Sequence, residues 1–117
     1  MSLKQFLQKI ANNEKVSFDE TMAVISQYYD YQATEFSNGM GDCMLINAAR
    51  TNEGSCKIFA FAKINQLTEQ QSLNLFGDFY HLEVLADPAG AQHQNIRNFM
   101  QFGWDGIKFK QQALLPK

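Results

Sequence analysis

The chain has 117 residues, with 10 Lys and Arg against 12 Asp and Glu, and a formal net charge of −2. No basic stripe or positive excess is present, so the sequence offers no electrostatic footprint for nucleic acid or for an anionic membrane. Hydrophobic residues make up 45% and aromatic residues 13%. That is enough for one domain, 1–117, which at this length hides roughly two-thirds of its unfolded surface without metal or disulfide.

The two cysteines, Cys43 and Cys56, are too few for a disulfide scaffold and read as free thiols of a reducing compartment. The opening Met1-Ser2-Leu3-Lys4-Gln5-Phe6-Leu7 lacks the apolar core of a secretory signal, and no stretch is long enough to cross a bilayer. A cytoplasmic protein is expected in the producing cell.

Ser2 is placed to cap a first helix in which Leu3, Phe6, Leu7 and Ile10 share a face. Asn12-Asn13 ends it. Ser17-Phe18-Asp19-Glu20 is a capping box, and the helix it opens sets Phe18, Met22, Ile25 and Tyr29 on one stripe. Tyr31 to Phe36 alternates like a short strand, and Ser37-Asn38-Gly39 reads as a turn. Cys43-Met44-Leu45-Ile46 is an apolar run that fits a buried strand or a first helical turn equally well.

Residues 52–64 form the most apolar segment of the chain. Its side chains surround the axis at helical spacing, which predicts a buried central helix over about 55–66, capped by Asn52 or Ser55. Thr68-Glu69-Gln70-Gln71 is a second capping box, with Gly77 as the stop of its helix. Asp78 is the expected cap of a short helix carrying Phe79, Leu82, Val84 and Leu85, and Asp87-Pro88-Ala89-Gly90 is a turn. The last helix is expected from Gln92 to Phe102, with Gly103 beyond it. Its apolar face carries Ile96, Phe99 and Met100, flanked by His93 and Arg97 on one side and Asn95 on the other. Residues 106–110 alternate like a strand. The fold class that follows is mainly α: a single-domain helical bundle around the buried central helix, with a small two-stranded antiparallel element joining 33–36 to 107–110.

Four blocks carry a family resemblance: Gly-Ser-Cys-Lys-Ile-Phe-Ala-Phe-Ala-Lys (54–63), Leu-Phe-Gly-Asp-Phe-Tyr (75–80), His-Gln-Asn-Ile-Arg-Asn-Phe-Met (93–100) and Gly-Trp-Asp-Gly-Ile-Lys-Phe (103–109). In this order they resemble the HopJ type III effector family over nearly the whole chain from Phe18. Arg50 stands where the family pattern has Gly, and Gln92 where it has Asp just before His93. The second departure removes a carboxylate that would partner the histidine. The resemblance implies a protein delivered into a plant cell by type III secretion and acting on a host protein. It supplies no catalytic residues and no cofactor.

Candidate chemistry gathers at the first turn of the central helix. Cys56 lies there beside Lys57, where a helix N-terminus and a cation favour thiolate, and His93 would serve as its base if the last helix packs across that end. Backbone N–H groups near Ser55, with Lys57, Asn95 and Arg97, form a candidate anion-binding set. The alternative for Cys56 is a packed core thiol, and for His93 and Arg97 hydrogen bonds that dock the last helix. Cys43 and Cys56 are 13 apart and His81 and His93 are 12 apart, neither the spacing of a zinc site. Two functions stand side by side: protein interaction through an exposed patch, or a housekeeping bacterial protein with a ligand or enzymatic pocket near Cys56, His93 and Arg97.

Overall fold

Three capping boxes set where three of the helices begin. In a computed structural model describing residues 1–117, α1 (Leu3–Ala11) starts at Ser2, whose hydroxyl accepts from the Gln5 N–H while the Gln5 side chain accepts from the Ser2 N–H. Ser17 and Glu20 do the same for α2 (Phe18–Tyr28), and Thr68 and Gln71 for α4 (Glu69–Asn74). Each box satisfies two donors that a helix start otherwise leaves open.

The central helix is present as α3 (Glu53–Ile64), and Ile58, Phe59, Phe61 and Ala62 on it are wholly buried. Phe59 meets the rings of Phe36, Phe76 and Phe99 with centroids 6.2, 5.5 and 4.9 Å away. Phe61 meets Phe6 and Tyr29 edge-on at 6.0 and 5.7 Å. One helix thus joins aromatic residues from α1, the strands and the C-terminal half in a core of 23 buried apolar residues. On α2 the buried face is Thr21, Val24 and Ile25, with Phe18 and Met22 only partly covered. The roll toward Thr21 has a polar cause: its buried hydroxyl donates to the Leu75 carbonyl at 2.9 Å.

The fold is mixed α/β, with five α-helices and two small antiparallel sheets, which corrects the mainly α bundle expected from the sequence. β1 (Tyr29–Tyr31) ends α2 and pairs with β5 (Leu114–Pro116), so the tail closes on the first half of the chain. β2 (Phe36–Asn38) is the centre of the other sheet, between β3 (Leu45–Asn47) and β4 (Ile107–Phe109). The expected pairing of these regions is present, but in a three-stranded sheet and with the β2 strand displaced toward Asn38. Phe36 lies opposite Phe109, their rings stacked 5.5 Å apart.

Ser37 and Asn38 are strand residues rather than a turn. The reversal comes at Gly39 and Gly41, with φ of 109° and 58°, through a 3-10 turn at Gly41–Cys43. Cys43, Met44 and Ile46 are exposed, so the apolar run around them is an edge strand and its approach, not core.

Asp78 does not cap the segment after it. It pairs with Lys15 at 3.6 Å, and Phe79–Val84 is a π-helical stretch that buries Tyr80 and Val84 while leaving Leu82 60% exposed. The last helix, α5 (Gln94–Phe102), begins two residues later than expected, at a left-handed His93, and Gly103 ends it with φ of 61°. A 3-10 turn, Gly103–Gly106, then leads into β4.

Candidate functional site

α3 and α5 start in the same unusual way. Asn52 before α3 and His93 before α5 are both left-handed, with φ of 50° and 58°, and neither helix receives a side-chain cap. Such a conformation at a non-glycine residue costs on the order of 1 kcal/mol or more and persists only where the surroundings hold it. Both uncapped turns open onto one cavity of about 470 Å³. Asn52, Ser55, His93, Gln94 and Asn95 make its polar wall. Phe18, Phe76, Phe79 and Leu45 supply its apolar lining. Polar groups and aromatic rings in one lining suit a ligand with an acceptor head and an apolar body.

His93 is fixed from two directions. Its Nε2 lies 2.9 Å from the Glu83 carboxylate of the π-helical stretch, and its ring packs on Phe79 with centroids 5.2 Å apart. The carboxylate absent at Gln92 is therefore supplied from ten residues upstream. Glu83 reaches His93 from within the π-helical stretch Phe79–Val84.

A buried amide network supports the polar wall. Asn95 on α5 donates to Asn47 Oδ1 at 2.9 Å and accepts from Asn38 and Asn47 at 3.0 and 3.1 Å. Asn52 donates to the same Asn47 oxygen at 2.7 Å, and Asn98 donates to the carbonyls of Asn38 and Cys43. Asn38, Asn47, Asn95 and Asn98 are all at most 5% exposed. The start of α3, two strands and α5 are thereby held in one register. Such a network is costly unless satisfied and specific when it is. No sequence signal marks it, because its partners stand 48 to 60 positions apart, apart from the short Asn47–Asn52 link.

The candidate residues divide. Ser55, His93 and Asn95 line the cavity together. Cys56 does not: it is 1% exposed and packed in the core. Burial pushes its thiol up to about 11; the Tyr31 hydroxyl and Lys57 work against that shift and the Glu53 charge adds to it. Burial likewise raises the Tyr31 hydroxyl, with Glu53 beside it. The thiol is thus kept protonated at neutral pH, outside the cavity lining that holds His93. Lys57 sits over the Tyr31 ring, 4.7 Å from its centroid. Arg97 fastens the turn before α5, donating to the carbonyls of Gln92 at 2.6 Å and Asp87 at 2.8 Å. Phe18, Phe76 and Gln94 also line the cavity and lay outside the candidate set read from the sequence. No three His, Cys, Asp or Glu side chains converge as metal ligands would.

Comparison with known proteins gives two findings. The model of the HopJ type III effector protein family matches residues 3–114. The crystal structure of an unknown-function protein, VPA0580, is similar with a TM-score of 0.94 and 47% identity, covering 100% of this chain and 95% of that one. No curated protein matches.

Proposed function

Since the chain belongs to the HopJ type III effector protein family, we propose that it acts by non-covalent binding, holding a small amphipathic ligand in the cavity between the starts of α3 and α5. The observation that carries this reading is the convergence of Ser55, His93 and Asn95 with Phe18 and Phe79 in the lining of one cavity. A thiol pushed up to about 11 and buried in the core supports binding over cysteine chemistry. Delivery by type III secretion and action inside a host cell belong to the same proposal, as the family's description implies.

A second reading has its own support. Met40, Met44 and Ile46 are 50%, 44% and 57% exposed on and before the edge strand β3, where a host protein would find unpaired backbone and apolar side chains. An amide chemical-shift titration with benzoate separates the two. Cavity binding predicts shifts at Gly54, Ser55, Gln94 and Asn95. The absence of any shift, or shifts confined to Met44–Asn47, contradicts it.

A further inference from the structure

Among the residues lining the cavity, only His93 ionises. We infer that His93 selects the ligand's head group: the cavity takes a carboxylate, and takes it together with a proton on the imidazole. This rests on the ligand-binding reading above and adds the charge of the head group to it. The Glu83 carboxylate lies 2.9 Å from Nε2, and the Phe79 ring packs on the imidazole with centroids 5.2 Å apart.

The other charged groups nearby are committed elsewhere. Arg97, one turn along α5, holds the carbonyls of Asp87, Pro88 and Gln92 through Nε and Nη1, its Nη2 is buried without a partner, and the residue lies outside the cavity lining. Asp87 accepts from the Gln92 amide at 3.3 Å. Asp78 pairs with Lys15 and, with Asp19, borders a separate depression that shares Phe18 and Phe79. From α3, Glu53 and Lys57 both sit at Tyr31, and β3 brings no charge. Within the lining, His93 is therefore the one group that can meet a ligand carboxylate with a positive charge; Arg50, two residues before Asn52, is exposed and outside the lining. With His93 neutral, that carboxylate faces Glu83 with no positive charge between them. Ligand and proton must then favour each other's binding.

Calorimetry with benzoate, ionised throughout, from about pH 5.5 to about pH 8.5 tests this across the range where imidazole usually titrates. Benzoate affinity should fall at least about tenfold over that range, with the binding heat varying with the buffer's ionisation enthalpy as protons are taken up. His93→Asn keeps a residue that tolerates the left-handed backbone and should abolish the pH dependence. The wild-type buffer test needs no change at residue 93. Equal benzoate affinity at both ends of the range, or an unchanged slope in His93→Asn, overturns the inference and leaves cavity binding standing. Binding of benzamide alone does the same. Binding of neither probe overturns both.

Discussion

The Phe18 ring lies so close to Gly54 that an added Cβ there would sit 2.7 Å from its Cζ. The contact joins the start of α2 to the first turn of α3 at the edge of the cavity. The family-like Gly-Ser-Cys-Lys block thus begins with glycine for a packing reason. Gly54→Ala should destabilise the fold by about 1–3 kcal/mol, the usual cost of overpacking, and should move the Phe18 ring. Urea denaturation and the ring's proton shifts check this. An unchanged midpoint would mean that the ring gives way freely.

The two cysteines should behave oppositely toward an alkylating reagent. Cys43 is exposed and Cys56 is buried with its thiol pushed up to about 11. Iodoacetamide at neutral pH should label Cys43 in the folded protein and Cys56 only after unfolding. Mass spectrometry of the digested protein reads the order. Rapid native labelling of Cys56 would return it to the set of reactive groups.

Alkaline pH should weaken the fold through the same thiol. An unfolded cysteine ionises near about 8.5, whereas folded Cys56 does so near about 11. Below the lower value both states keep the proton and the full stability is present. Between the two the unfolded state sheds a proton that the folded state retains, so stability falls and this contribution is lost as pH passes the folded value. Tyr31, raised by burial and by Glu53, acts in the same direction at higher pH. Urea midpoints at about pH 8 and about pH 10 should decline in the wild type and decline less in Cys56→Ala.

Asn95 should be among the least replaceable residues of the site. Asn95→Leu removes the oxygen that the amides of Asn38 and Asn47 share and leaves them backbone acceptors at Asn95 and Phe36, at a cost of about 1–3 kcal/mol. Asn95→Asp keeps that oxygen but turns a second one toward Asn47 Oδ1, where Asn95 now donates. Protonation of the carboxyl restores the donor, so this variant should gain stability as pH falls. Thermal unfolding across acidic pH distinguishes the two variants.

Local chemistry was readable in the sequence wherever partners are close along the chain. Ser17 with Glu20 and Thr68 with Gln71 are three residues apart, and both boxes form. The all-round apolar character of residues 56–62 was enough to place the central helix. The second sheet was harder because β3 is an exposed edge: Ile46 is 57% exposed, so no core pattern marks it. β5 has three residues and ends in Pro116, too short for periodicity to show. At the site, Ser55, His93 and Asn95 stood out as residue types, but their partners did not. Glu83 arrives through a π-helical turn, and Asn38 and Asn47 arrive through sheet register.

The most direct test of the cavity as the functional site is a crystal structure of the protein soaked with benzoate at saturating concentration. The account predicts density in the cavity lined by Phe18, Phe76 and Phe79, with the carboxylate within hydrogen-bond reach of His93 and of Ser55 or the first-turn N–H groups of α3 or α5. Benzoate ordered elsewhere, or a cavity filled only by water, would contradict it.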